Sequence, residues 1–232
     1  VGLISSLLLP NLLSIDDYAG YQTFILYISY VALFHLGFPN GLSIKYAGKS
    51  FKKIDKNQLK GEMCLLLIII STFSVIFLMQ YIYSRNIMFL YIAIMTFCSC
   101  YLGAITQLLQ AWGIFSLYAV SHVIISAVPL TLPIIIYFLF KKASATISII
   151  SYISVYVLMT ILYLTWQIIL GKNYRCTKIF SKVNADTEII GLLFHIGSYI
   201  NVLFHSVDKQ LIKWYCSVQE FSYYSFAITM QS

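Results

Sequence analysis

Residues 63–83 read MCLLLIIISTFSVIFLMQYIY, an uncharged and almost wholly apolar stretch that decides the fold. A transmembrane helix needs about 20 consecutive apolar residues, so this stretch is long enough to cross a bilayer. Runs of similar length and composition lie before and after it. We therefore predict complete membrane-spanning helices at about Tyr21–Ile44, Met63–Tyr83, Ile87–Gln110, Phe115–Phe140, Ala145–Leu170 and Glu188–Lys213.

Shorter apolar runs lie at the two ends of the sequence, at Val1–Leu13 and Phe221–Ser232. We expect them to belong to a first helix and an eighth helix, both incomplete. With 60% hydrophobic and only 10% charged residues among 232, the chain has too few polar groups to cover a water-soluble globule. The composition therefore predicts an all-α, polytopic transmembrane helical bundle.

Basic residues are concentrated on one side of this predicted bundle. The segments Lys45–Glu62, Gln110–Gly113 and Gly171–Thr187 hold ten of them, whereas the alternate connections Ile15–Gly20, Ser84–Asn86 and Lys141–Ser144 hold three. Cationic loops stay in the cytoplasm during insertion, so we predict a cytoplasmic amino terminus. The net charge of +7 then reflects orientation and attraction to anionic membrane lipids, and nucleic acid is not an expected partner.

Five lysines of the first basic segment recur at helical spacing: Lys49, Lys52, Lys53, Lys56 and Lys60. A short interfacial helix that presents them would attract anionic headgroups, or the diphosphate of a lipid-linked substrate. The alternative is that these lysines only orient the chain in the membrane.

The seventh predicted span carries a polar stripe. At about 100° per residue, its polar side chains share one arc. They are His195, Ser198, Asn201, His205, Asp208 and Lys209. Polar groups are costly against lipid, so the stripe predicts a water-filled pathway or a polar partner helix. In the alternative interpretation, Asp208 and Lys209 sit at the outer interface and the histidines bond neighbouring helices.

The second predicted span ends in a stretch that disfavours regular helix, HLGFPNG at residues 35–41. Its glycines and Pro39 weaken the helix, and unwinding frees backbone groups and the Asn40 side chain for a polar ligand. His35 and Lys45 are further candidates for the transport pathway here, and Pro39 is a candidate hinge. The alternative is an ordinary helix end at which Lys45 reaches the headgroups.

Two further spans carry candidate residues. Gln107 belongs to a face of the fourth span that is rich in small residues, a pattern that is also typical of close helix packing. His122 shares a face of the fifth span with Pro129 and Pro133. These prolines remove backbone donors and predict a bend, which acts either as a hinge or as a static distortion.

Motifs for catalysis are missing from the sequence. It contains no Gly-rich phosphate loop, no GxSxG elbow and no HExxH pair, so we predict that the protein is not an enzyme. Its five cysteines show no CxxC spacing, which indicates neither a disulfide framework nor a metal site. Asp16 and Asp17 adjoin on an external turn, where we expect a helix-capping role.

A faint internal repeat aligns Ser14–Ile25 with Ser217–Ile228 without gaps. The two copies are separated by six predicted helices. Because an even number of spans returns the chain to the same face of the membrane, the repeat predicts two parallel halves related by an axis along the membrane normal.

Four stretches carry a family resemblance: LLSIDDYAGY at residues 12–21, LGFPNGLSIKYAG at 36–48, DKQLI at 208–212 and FSYYSFA at 221–227. In their order and spacing they resemble the bacterial polysaccharide or O-antigen flippases of the multidrug/oligosaccharidyl-lipid/polysaccharide exporter superfamily. The resemblance runs the whole length of the chain. It implies that residues 1–170 form the first six-helix lobe, 171–187 a cytoplasmic basic inter-lobe loop, and 188–232 the start of the second lobe of a two-lobe transporter.

The resemblance implies a protein of the bacterial cytoplasmic (inner) membrane that flips an undecaprenyl-diphosphate-linked oligosaccharide by alternating access. The glycan would be the repeat unit of an O-antigen, which is part of lipopolysaccharide, of a capsule or of another polysaccharide. No cofactor is implied beyond a coupling H+ or Na+, and polysaccharide polymerase and glycosyltransferases are implied as further partners. The family's central cavity is commonly cationic, whereas the helix interiors here offer histidine, Asn and Gln. A multidrug or cation exporter of the same superfamily, and a membrane-embedded polysaccharide polymerase or acyltransferase, are the alternatives.

Overall fold

Helices make up most of the chain that the structure describes. The structure, a computed structural model, describes residues 8–49, 51, 54–140, 144–171 and 182–231, with side chains at all of these except 32, 140, 170–171, 182–188, 205 and 231. The helices within these ranges are α1 (Ile15–Val31), α2 (Phe38–Tyr46), α3 (Lys56–Ser84), α4 (Ile87–Ala111), α5 (Phe115–Phe140), α6 (Ala145–Gly171), α7 (Lys182–Tyr215) and α8 (Val218–Gln231). A helical segment at 8–12 precedes them, and none of the described residues lies in a strand. The predicted all-α fold class is confirmed.

Four of the described helices, α3 to α6, are long and apolar enough to cross a membrane. The number rises to six when two bent pairs are each taken as one span, namely α1 with α2, and the two parts of α7. The outward surfaces are apolar, as in the last turns of α3, where Met79, Ile82 and Tyr83 are more than half exposed. The protein is therefore a multi-pass membrane protein, as the sequence predicts.

Several helices depart from the predicted spans, since α1 begins at Ile15 rather than at Tyr21 and α7 covers Lys182–Tyr215 rather than Glu188–Lys213. Local capping chemistry explains the departure at the start of α3. The bounds of α5 are those predicted, and α4 and α6 each extend one residue further. In contrast, α3 begins at Lys56 rather than at Met63. The reason is that the carboxylate of Asp55 accepts hydrogen bonds from the backbone N–H groups of Asn57 and Gln58, which caps the helix at this point.

This earlier start corrects the predicted basic loop. Lys45 lies in α2 and Glu62 lies in α3, so the connection between the two helices spans residues 47–55 rather than Lys45–Glu62. The prediction of a separate interfacial helix is wrong for Lys56 and Lys60, which lie in the first turns of α3. Outside the described residues lie Lys52, Lys53 and most of the predicted loops Lys141–Ser144 and Gly171–Thr187.

The helix α5 runs unbroken through Pro129 and Pro133. Thr131 lies between the two prolines, and its hydroxyl donates to the carbonyls of Ala127 and Val128 in the preceding turn. The hinge role of the two prolines stays a prediction.

The internal repeat has the same local structure in both copies. At the start of α1, the N–H of Asp17 donates to Ser14 Oγ at 3.1 Å, and that hydroxyl donates to the Asp17 carboxylate at 2.8 Å. At the start of α8, Glu220 and Ser217 make the same two contacts at 3.3 and 2.8 Å. In both copies the serine hydroxyl accepts an N–H group that a helix start leaves without a partner. In the second copy the backbone N–H of Ser217 also donates to the Glu220 carboxylate at 2.8 Å, which completes a capping box. Asp17 also accepts the N–H of Ala145, the first residue of α6, at 2.8 Å, so its predicted capping role is confirmed.

The described chain divides into two compact units. The first unit consists of Val1–Tyr30, Val123–Val155 and Asn201–Ser232, and the second unit of Val31–His122 and Tyr156–Ile200. The first unit contains a buried cluster of Ala19, Leu26 and Phe221. The core of the second unit includes side chains of α2, α3 and α4 with no exposed surface, namely Phe38, Leu42, Leu66, Met95 and Leu109. The two-lobe organisation of residues 1–170 and 188–232 stays a prediction.

Candidate functional site

The helix that the sequence predicts at Tyr21–Ile44 is broken. Between α1 and α2 lies a 3-10 turn, Ala32–His35, followed by Leu36 and Gly37 in left-handed backbone conformations with φ of 51° and 74°. Glycine adopts this conformation readily because it has no β-carbon. For leucine it costs on the order of 1–3 kcal/mol, so it persists only where the surrounding structure holds it in place.

Pro39 helps to set where the helix resumes. It lies in the first turn of α2, where its missing N–H is not needed and its fixed φ suits a helix. The N–H groups of Asn40 and Gly41 donate to the Gly37 carbonyl at 2.9 and 3.2 Å, which closes the new turn. The predicted weakness of the helix at this stretch is confirmed, and the hinge role of Pro39 stays a prediction.

Side chains from α4 and α7 bind carbonyls at the break. Cys100 Sγ lies 3.3 Å from the Val31 carbonyl oxygen and donates to it, and the hydroxyl of Tyr199 donates to the Leu33 carbonyl. In lipid, an unsatisfied backbone group costs several kcal/mol, so irregular backbone at membrane depth is tolerated only where the protein or water completes its hydrogen bonds. The break is therefore built into the packing of α4 and α7.

Two buried histidines meet at the break. The ring centroids of His35 and His195 are 4.5 Å apart, and these residues are only 7% and 4% exposed. His35 Nδ1 accepts the backbone N–H of Gly37 at 3.1 Å. His195 Nδ1 lies 3.3 Å from Asn40 Nδ2, an amide nitrogen that can only donate. The bond from Gly37 assigns His35 as a neutral ring that carries its proton on Nε2.

The hydrogen bond between Gly37 and His35 depends on an unprotonated Nδ1. A proton added at Nδ1 places an N–H opposite another donor. Asn40 can turn its side-chain oxygen toward His195, but the N–H of Gly37 cannot be exchanged for an acceptor. Protonation of His35 at Nδ1 therefore breaks its hydrogen bond with the N–H of Gly37. If both rings were protonated, the two imidazolium ions would repel each other at this separation.

Three of the predicted pathway residues come together here: His35, Asn40 and His195. Others lie elsewhere. Gln107 belongs to α4, and its side-chain oxygen is buried without a hydrogen-bond partner among the described residues. His122 is exposed on α5, and its ring centroid lies 5.7 Å from that of Tyr118. The side chain of His205 lies outside the part of the chain that the structure describes.

The polar stripe predicted on α7 is divided between the two units. His195 belongs to the second unit, whereas Asn201, Asp208 and Lys209 belong to the first. The carboxylate of Asp208 accepts the hydroxyl of Tyr224 from α8 and the backbone N–H of Lys209. Asn201 and Lys209 line a groove of about 230 Å³ with residues of α1. An aqueous pathway along this stripe stays a prediction.

Lys45 makes a contact that the sequence reasoning missed. Its ammonium forms an ion pair with Glu62, and the hydroxyl of Tyr46 donates to the second carboxylate oxygen at 2.6 Å. Glu62 has no exposed surface, so its neighbours alone compensate its charge. We expected a loop at this position. The helical spacing of Lys56 and Lys60 is the signal that could have shown that α3 begins before Glu62.

The described side chains at the break donate and accept hydrogen bonds. Within the described ranges, no group of three or more His, Cys, Asp or Glu side chains could hold a metal ion. Comparisons with protein-family models, with curated proteins and with solved structures gave no match.

Proposed function

We propose that this protein is a transporter that flips an undecaprenyl-diphosphate-linked oligosaccharide across the bacterial cytoplasmic membrane. The break between α1 and α2 is the observation that carries the proposal. Transporters commonly form substrate and ion sites from discontinuous helices, whose unwound backbone offers polar groups inside the membrane. A helix that only spans the membrane would be more stable without the strained backbone at Leu36.

The histidines at the break provide a group for energy coupling. Imidazole is the side chain whose charge ordinarily changes near physiological pH. Because a proton on His35 Nδ1 costs the hydrogen bond from Gly37, proton binding changes the relative stability of the broken backbone. On this ground we propose H+ as the coupling ion, with Na+ as the alternative.

The choice of substrate rests on the family resemblance, and two further features support it. The serine caps at Ser14 and Ser217 give the predicted repeat matching helix starts, in keeping with the parallel repeats of some two-lobe transporters. The basic residues are concentrated on the predicted cytoplasmic side, where a lipid-linked diphosphate would be taken up. A drug or cation exporter of the same superfamily would share the fold, since a fold does not determine its substrate.

A deletion strain tests the assignment. Without a flippase, lipid-linked repeat units are synthesised but not displayed, so we would measure both the extracted lipid-linked glycan and the glycan at the cell surface. Wild-type protein should restore display. The variant His35→Asn keeps a hydrogen-bond acceptor but cannot be protonated, and it should restore little.

The control is Gln80→Asn, a conservative change to the same residue type at an exposed position of α3. It should restore display fully. Absence of lipid-linked units in the deletion strain would show that the protein acts in their synthesis. Normal display combined with altered dye efflux would instead identify a drug exporter.

A further inference from the structure

A groove in the second unit lies beside the first turns of α3 and the last turns of α4 and α6. Its volume is about 80 Å³. The lining is mostly apolar and includes Leu59, Met63, Ile105, Leu108, Trp112 and Trp166. A groove of this kind has room for a segment of hydrocarbon chain and little to offer a purely polar ligand.

Two ammonium groups border this apolar lining. Lys56 and Lys60 both line the groove. They are four residues apart in the first turns of α3, and helical neighbours at this spacing share a face. Lys56 Nζ lies 5.3 Å from the ring centre of Phe51, which keeps it beside the groove. An anion at this end of the groove meets two cations and the positive end of the helix dipole.

The indole of Trp112 supplies a directed donor. Its Nε1 is buried and has no hydrogen-bond partner among the described residues, although the ring lines the groove. A buried donor without an acceptor destabilises a protein, so an acceptor on a bound molecule would be favoured there. The groove therefore combines an apolar lining, a directed N–H and two positive charges.

We propose that this groove binds a phosphate-bearing lipid of the cytoplasmic leaflet. One hydrocarbon chain lies along Met63 and Leu108, the phosphate lies at Lys56 and Lys60, and a lipid oxygen accepts the N–H of Trp112. The distribution of basic residues predicts that this end of α3 lies at the cytoplasmic surface, where anionic headgroups are abundant. A soluble anion would leave the apolar lining empty. This proposal does not depend on the transport function.

Native mass spectrometry of the purified full-length protein in detergent tests the proposal. The probes are phosphatidylglycerol, phosphatidylcholine and soluble glycerol phosphate, each titrated separately. We expect phosphatidylglycerol to bind most tightly. Each lysine-to-Gln change should weaken its binding by about fivefold, so the double variant Lys56→Gln/Lys60→Gln should weaken it by about 25-fold.

Two further variants make the result specific to the groove. Lys49→Gln removes an exposed lysine from the same basic segment and should change binding by less than twofold. Leu59→Trp keeps every charge but fills the groove. It should weaken the binding of both phospholipids and leave the melting temperature of the protein unchanged. If Lys49→Gln weakens binding as much as Lys60→Gln does, or if Leu59→Trp has no effect, there is no lipid site in the groove. Equal binding of glycerol phosphate would also overturn the proposal, since a headgroup alone would then suffice.

Discussion

Gly37 and Gly191 approach so closely that a β-carbon added to either one would lie 2.3 Å from the carbonyl oxygen of the other. Real β-carbons essentially never show a contact under 3.0 Å, so neither position accepts another residue unless the backbone moves. Gly37 lies in the helix break and Gly191 lies in α7. The location of the break is therefore coupled to the path of α7.

Gly191→Ala should destabilise the protein, because the new methyl group overlaps the backbone at the break. We expect a loss of about 1–3 kcal/mol, the range for overpacked cores. Gly197→Ala is the control on the same helix, since its β-carbon would meet nothing within 4 Å. Thermal unfolding of the purified variants in detergent measures the difference. Equal melting temperatures would mean that the two glycines are not in contact.

Lowering the pH should reduce the melting temperature of the wild-type protein more than that of the His35→Asn variant. A protonated His35 cannot accept the Gly37 N–H through Nδ1, whereas the side-chain oxygen of Asn accepts at every pH. His195→Asn should have the smaller effect on the pH profile, because Asn40 can turn its oxygen toward a protonated His195. Melting temperatures recorded between about pH 8 and pH 5, on either side of the ordinary imidazole pKa, provide the test. Parallel curves for wild type and His35→Asn would contradict it.

Glu62→Gln should destabilise the folded protein by more than the loss of one charge suggests. It leaves the ammonium of Lys45 without its counter-ion in a mostly buried setting. We expect a loss of about 2 kcal/mol, below the range for fully buried pairs because the Lys45 side chain is 18% exposed. The double variant Lys45→Met/Glu62→Gln should recover much of this loss. A double-mutant cycle in chemical denaturation measures the coupling, and additive losses would show that the two side chains act independently.

Acid should weaken the capping box at the start of α8. Hydrogen bonds from the Ser217 backbone N–H and hydroxyl lower the pKa of Glu220. A lowered folded-state pKa means that the stabilisation is complete above the unfolded carboxyl pKa and is lost as the pH falls through the folded value. Glu220→Gln should therefore flatten the acid limb of the stability profile. At neutral pH, Asp17→Asn should destabilise the protein more than Glu220→Gln does, because Asp17 also caps α6 through Ala145.

Cys216 offers a test of the predicted topology. It is the exposed one of the described free cysteines, and it lies between α7 and α8, on the side that the distribution of basic residues predicts to be outside. An impermeant maleimide should label it in intact cells, and Cys216→Ser should abolish that signal. An engineered cysteine at Lys53, in the predicted cytoplasmic segment, should react only after the cells are permeabilised. The reverse pattern would invert the orientation.

Local properties of the sequence were enough to predict the membrane-spanning helices and several of their ends. The length and hydrophobicity of an apolar run do not depend on partners, so the bounds of α5 were predicted as observed. Pro39 and its neighbouring glycines marked a weak stretch because proline and glycine act on their own backbone. The contact between Asp17 and Ser14 at the start of α1 was predictable for the same reason, since the two residues are only three positions apart.

Partner choice between distant residues was decided only by the tertiary structure. His35, Asn40 and His195 were all candidates, but their meeting depends on the packing of α7 against the break, and Asn40 and His195 are 155 positions apart. The ion pair of Lys45 with Glu62 was missed because it requires α2 and α3 to lie side by side. The sequence by itself determined where the chain crosses the membrane, because apolar length and turn chemistry are local. The tertiary structure decided which polar groups face one another there, because that depends on how closely helices can approach, and Gly37 and Gly191 allow the contact through having no side chains.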